Sequence, residues 1–147
     1  MIQLVIADDT HTLVVSELLA NLFEEVGHTL TASEIADIFV EMDEDSLHST
    51  LLAFNDDGEA VGVLTLVESL GLYAGGRIGV VNELYVVPPY RSEGVGKILL
   101  DAAKKLADER GWQRLEVTTP GEQYEKTLRF YEREGFFPIG PRYKFEL

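Results

Sequence analysis

The chain has 147 residues, 46% of them hydrophobic and 26% charged, an ordinary globular balance in a length able to bury a real core. Twelve Lys and Arg against 26 Asp and Glu leave a formal net charge of −14, which argues against a nucleic-acid surface and fits either a cationic substrate or plain solubility. The absence of cysteine excludes disulfides, thiol nucleophiles and thiolate metal sites.

His11, His28 and His48 lack metal-ligand spacing and read as surface or capping residues, so no metal is expected. No apolar run reaches the roughly 18 residues of a membrane span. The opening MIQLVIADD has no basic region or cleavage site. The expectation is a cytoplasmic protein with neither membrane nor nucleic-acid partners. Repeats and low-complexity linkers are missing, so residues 1–147 are expected to form a single domain.

In chain order, QLVIA (Gln3 to Ala7) reads as a short strand. From Thr10 to Glu25, Leu13, Val14, Leu18 and Leu22, with Val26 just beyond, recur at helical spacing. TASE (Thr31 to Glu34) has the pattern of a capping box opening a second helix to about Met42. STLLAF, NDDG and EAVGVLTLVES predict a hairpin with a strong turn signal. LGLYAGG interrupts, and Arg77 to Val87 makes another strand.

A third helix is marked by Val95, Ile98, Leu99, Ala102 and Leu106, and is closed by Arg110 and Gly111. WQRLEVTT predicts a strand, EQYEKTLRFYERE a short helix, and GFFPIG and RYKFEL two last strands. The order β-αα-βββ-α-β-α-ββ describes an α/β protein with a mixed sheet, antiparallel in the hairpin and parallel where strand and helix alternate. The two apolar last strands offer an edge for homodimer formation.

The stretch VVPPYRSEGVGKILL (Val86 to Leu100) carries the chemistry. A P-loop would need glycine where Arg91 stands, and serine or threonine where Ile98 follows Lys97. A dinucleotide fingerprint would need glycine at Leu99. What remains is R-x-x-G-x-G between a strand and an amphipathic helix. Gly94 and Gly96 allow successive N–H groups to converge where the helix dipole is positive, a natural seat for a pyrophosphate. The same glycines also suit a plain, closely packed strand-to-helix turn.

ELYVVPPYRSEGVGKILL resembles motif A of the GNAT acetyltransferases, V-x-P-x-x-R-x-x-G-x-G, through Val86, Pro88, Arg91, Gly94 and Gly96. TLRFYEREGF is similar to the family's second signature, F-Y-x-x-x-G-F, through Phe130, Tyr131, Gly135 and Phe136. The order of elements is also the family's. The resemblance implies a GNAT-like single domain with splayed central strands, and transfer of an acetyl group from acetyl-CoA to an amine.

Carried over residue by residue, Leu84, Tyr85 and Val86 would offer backbone groups to the pantetheine arm. The amides of Arg91, Ser92, Glu93, Gly94, Val95, Gly96 and Lys97 would hold the pyrophosphate. Tyr131 would stand near the sulfur as donor to the departing thiolate, although its ring also suits helical packing. Glu83, a carboxylate in an apolar strand, is the leading general base. Other family members place the acidic residue one position earlier, where this chain has Asn82, on the opposite face unless a bulge intervenes, and Glu68 on the preceding strand is a reserve. Tyr124 stands where the family often has an asparagine that holds pantetheine, so Thr118 or Thr119 would have to replace it. Lys126 and Arg129 could approach the adenosine 3′-phosphate, or be solvated helix charges.

The family builds its acceptor site from segments that are here FEEVGHTLTASE, EMDEDS and SLGLYAGG, acidic or glycine-rich. Acidic rims favour a small polycationic amine or a protein amine. Two rivals stand beside this reading: a non-catalytic acyl-CoA-binding sensor on the same fold, and an interaction module whose glycine loop is only structural.

Overall fold

The computed structural model describes residues 1–121 and 124–147. Its elements run β1 (Gln3–Ile6), α1 (Thr12–Glu25), α2 (Ala32–Glu44), β2 (His48–Phe54), β3 (Ala60–Gly71), β4 (Gly76–Val86), α3 (Val95–Glu109), β5 (Arg114–Val117) and α4 (Glu125–Arg133). The five strands form one sheet in sequence order. β1 to β4 are antiparallel neighbours, and β5 joins β4 in parallel. This is the mixed α/β architecture expected.

Helices cover both faces of the sheet. On one, α1 and α2 bury Val15, Leu18, Leu19, Ile35 and Phe39 against Leu52, Val63 and Tyr85. On the other, α3 and α4 bring Val95, Leu99, Leu100, Ala103 and Tyr131 onto Leu51, Val61, Leu64, Leu66 and Val81. A strand covered on both sides needs apolar residues at every position, which is why STLLAF and VGVLTLV do not alternate. Each fully buried leucine here contributes about 2 kcal/mol.

The local signals act as their chemistry suggests. Thr31 caps α2 by accepting the Glu34 amide at 3.1 Å. The NDDG turn closes with Asn55 Oδ1 accepting from Asp57 and Glu59 amides at 3.0 and 2.9 Å. His11 is a cap, its Nδ1 accepting the Asp8 amide at 3.1 Å. A 3-10 turn at Asp9–His11 takes the place of the helix start expected at Thr10. The buried stripe of α1 is centred on Val15, Leu18 and Leu19, leaving Leu13 exposed. No helix among the described residues is long and apolar enough to cross a membrane.

Two features prepare the site. First, Thr65 pairs with Glu83 but Leu66 pairs with Val81, so Asn82 is an extra residue in β4, a bulge. Second, β5 pairs with β4 only from Ile78 to Val81, and the Thr118 amide still reaches the Val81 carbonyl at 2.8 Å. Beyond that point β4 continues beside β3, while β5 ends at Val117 and leaves the other edge of β4 without a strand partner among the described residues.

The end of the chain differs from expectation. GFFPIG and RYKFEL form no strands, and Phe137, Ile139, Tyr143 and Phe145 are exposed. In GFFPIG, Pro138 has no amide hydrogen to give a ladder and Gly140 sits at φ +129°, so that segment lacks a backbone able to pair, and RYKFEL follows Pro141 without a partner strand among the described residues. The helix read from EQYEKTLRFYERE begins partly on Glu122 and Gln123, which lie outside the described residues; its described part is α4.

Candidate active site

β4 runs out at Val86 into a 3-10 turn at Pro88–Tyr90, and the chain then enters α3 through an exposed loop. Ser92 and Gly94 both adopt left-handed backbone, at φ 63° and 86°. Gly94 is the N-cap of α3 and supplies no side-chain cap. The first-turn amides of Val95, Gly96 and Lys97 therefore face outward uncapped, at the positive end of a helix of 15 residues. Amides so placed are chemically suited to an anion.

The two glycines serve different ends. Gly94 has open space around it, and its φ is what excludes other residues. Gly96 lies beneath Phe130 of α4, where a Cβ would come within 3.3 Å of the ring.

Arg91 is already engaged. Its Nε donates to the Val86 carbonyl at 2.8 Å, and its Nη2 donates to both Glu25 carboxylate oxygens at 2.7 and 3.0 Å. Its guanidinium lies 5.4 Å from the centre of the Tyr85 ring. Arg91 thus ties the end of α1 to the end of β4. Lys97 pairs with Asp101 at 3.0 Å and Glu134 at 3.3 Å, and these partners raise its pKa. Ser92 and Glu93 are exposed.

Along the part of β4 beyond β5, backbone directions alternate. The Val87 amide donates to Val61 and the Glu83 amide to Thr65 Oγ1, both toward β3. Tyr85 shares that direction. Leu84 and Val86 consequently turn their backbone groups to the unpaired edge, with side chains on the α3 face. Tyr85 packs with α1 and α2 and is nearly buried.

Glu83 is half-buried on the α1/α2 face. Burial raises its pKa, and the Thr65 hydroxyl and the charge of His48 counter that in part. Thr65 Oγ1 donates to Glu83 Oε1 and accepts the Glu83 amide at 3.1 Å. Tyr131 belongs to the opposite face, buried between Phe130 and Phe136 at ring separations of 5.3 and 5.8 Å. Burial pushes its phenol up to about 12, so it remains a donor throughout the neutral range.

Glu68, the reserve base, is occupied: Trp112 Nε1 donates to it at 2.5 Å and Arg77 at 3.2 Å. Asn82 Oδ1 accepts from Thr118 Oγ1 at 3.3 Å, and Arg142 donates to that same hydroxyl at 2.8 Å. Arg129 pairs along its own helix with Glu125 at 3.2 Å. Tyr124 precedes α4 without a side-chain cap bond. Thr65 had no place in the sequence reading, and His48 entered it only as a surface or capping residue. A threonine inside the apolar run VGVLTLV was the available signal for the first, while His48 offered none.

The model of the acetyltransferase (GNAT) family matches residues 14–136, which contain both signature segments and the unpaired edge of β4. The chain belongs to the GNAT acetyltransferase family. It is an acetyl-CoA-dependent N-acetyltransferase. The GNAT chain is 29% identical over 119 residues to the uncharacterized N-acetyltransferase YhfO of Bacillus subtilis (strain 168), covering 80% of this chain and 78% of that one. It is 35% identical over 80 residues to the aminoalkylphosphonate N-acetyltransferase of Salmonella typhimurium, covering 54% and 51%. Its fold matches that of aminoglycoside N-acetyltransferase AAC(6')-Iy, crystallised with CoA, at a TM-score of 0.85 and 15% identity over 100% of this chain and 95% of that one.

Proposed function

We propose that this GNAT enzyme transfers the acetyl group directly to a primary amine in a ternary complex, without a covalent enzyme intermediate. The observation that carries the reading is the edge of β4 that β5 leaves unpaired beyond Val81. It leads to the uncapped start of α3 and is flanked by Glu83 on one sheet face and Tyr131 on the other.

Acetyl-CoA would lie with its pyrophosphate on the amides of Arg91 to Lys97 and its pantetheine along Leu84 and Val86. An alkylammonium with a pKa near 10.4 must first lose a proton, and Glu83 takes it directly or through water. The nitrogen lone pair then attacks the thioester carbonyl carbon. The oxyanion is met by an outward β4 amide, that of Leu84. The attacking nitrogen gives its second proton to water in the site, and as the carbon–sulfur bond breaks the electron pair leaves on sulfur, so that a neutral amide and a thiolate result. A phenol titrating at about 12 serves the thiolate chiefly as a hydrogen-bond donor, because a thiol near 8.5 is the stronger acid. Solvent completes the protonation.

For the acceptor, the acidic α2 end (Glu41, Asp43, Glu44, Asp45) and the net charge of −14 support a cationic amine. The Salmonella relative's name supports an aminoalkylphosphonate instead. The test is heat stability with and without acetyl-CoA, followed by thiol release on spermidine, an aminoglycoside, amino acids, a basic peptide and 2-aminoethylphosphonate. Stabilisation with release on one amine class supports the transfer and names the class. Stabilisation without release on any amine favours a binding module, and no stabilisation at saturating acetyl-CoA removes the reading.

A further inference from the structure

We propose that Thr65 is a positioning residue that orients Glu83 for proton removal, an inference resting on the reading of Glu83 as the base. The register sets Thr50, Thr65 and Glu83 side by side across β2, β3 and β4. Thr50 and Thr65 are 5% and 0% exposed. In the neighbouring row, Leu52, Val63 and Tyr85 are plain apolar core. A hydroxyl buried this deeply is costly unless bonded, and valine would fill the same space.

The bonding decides what the hydroxyl does. Because the bulge at Asn82 turns the Glu83 amide toward β3, that amide donates to Thr65 Oγ1. With a lone pair taken on that side, the single hydroxyl proton points at Glu83 Oε1. A carboxylate is the acceptor that suits such a donor, so the contact favours the ionised form. It also occupies one oxygen. Oε2 accepts no hydrogen bond from the described residues and is the oxygen left for the amine or its water. The other titratable group acting on Glu83 is His48 of β2, whose Nδ1 lies 3.3 Å from Asp45 Oδ2.

The experiment is a carboxyl-carbon NMR titration of glutamate-labelled protein, with Glu83→Gln identifying the resonance, on the parent, Thr65→Val and Thr65→Ser. Thr65→Val should raise the Glu83 midpoint by about one pH unit, and Thr65→Ser should restore it. In thiol release with spermidine and 2-aminoethylphosphonate, Thr65→Val should lower kcat about tenfold. It should move the acidic limb of the pH profile upward and leave KM for acetyl-CoA unchanged. An unmoved midpoint overturns the proposal, as does an unchanged acidic limb in Thr65→Val. Activity and acidic limb intact in Glu83→Gln would remove the base assignment itself, and this proposal with it. If neither amine reacts, the transfer reading loses support while the NMR midpoint still decides the role of Thr65.

Discussion

Phe130 of α4 rests on Gly96 of α3, its ring edge 3.3 Å from where an added Cβ would stand. Two signature segments far apart in sequence are thereby one packed unit, and the loop at the start of α3 depends on where α4 sits. Gly96→Ala meets opposing effects. Helix propensity favours alanine by about 1 kcal/mol, and overpacking against the ring costs about 1–3 kcal/mol. We expect a net loss of about 1 kcal/mol in the parent and a gain of similar size in Phe130→Ala. Urea unfolding of the four proteins in the cycle measures this coupling. Strict additivity would mean that the contact carries no energy.

Tyr131→Phe should lower kcat about tenfold while leaving KM for acetyl-CoA near the parent value, since only a bond to the leaving sulfur is lost. Stability supplies an independent check. The folded-state pKa is raised from about 10 to about 12, so the protonated form is favoured by folding. That contribution is complete below pH 10 and is lost as pH rises through about 12, to the extent of about 2–3 kcal/mol. The urea midpoint of the parent should fall more steeply than that of Tyr131→Phe between pH 10 and 11.5. Parallel curves would mean that the phenol is not buried as described.

Glu83 carries a stability cost in the service of its proposed role. Burial raises its folded pKa, so stability is full below the ordinary carboxylate range and declines as pH rises through the raised value. Glu83→Gln keeps an oxygen for the Thr65 hydroxyl and removes the charge. Its melting temperature should exceed the parent's at pH 7.5, and the gap should close as the pH is lowered through the acid range. Its thiol-release rate should fall by about two orders of magnitude. Equal stability at both ends of that range would contradict the burial of the carboxylate.

Arg91 and Glu25 form an exposed pair, worth at most about 1 kcal/mol. Arg91→Ala should therefore leave the melting temperature nearly unchanged. If the loop holds a pyrophosphate as proposed, acetyl-CoA should bind about tenfold more weakly, and the deficit should shrink as salt is raised. Isothermal titration at two ionic strengths distinguishes this from a change in packing, which salt would not relieve.

Much of this could be read directly from the residues. α3, the NDDG hairpin and the glycine loop were legible because each depends on periodicity or turn chemistry within a few neighbouring positions, whereas Phe130 and Tyr131 stood out only through the resemblance to the family signature. The paired strands promised by GFFPIG and RYKFEL were read from the same kind of pattern. In GFFPIG, Pro138 and Gly140 outweigh apolar alternation, because a ladder needs amide hydrogens and an extended backbone.

The tertiary structure alone decided which groups meet. Thr65 is the partner of Glu83 because a single bulge at Asn82 shifts the register of β4 against β3. Glu25 reaches Arg91 because α1 ends beside the mouth of the loop. Trp112 and Arg77 reach the Glu68 carboxylate because β3, β4 and the turn before β5 come together there. Composition and local pattern determine which elements form and what chemistry they carry. Strand register and helix placement are set by the packing of distant segments, so the partners of a buried carboxylate appear only when those segments have met.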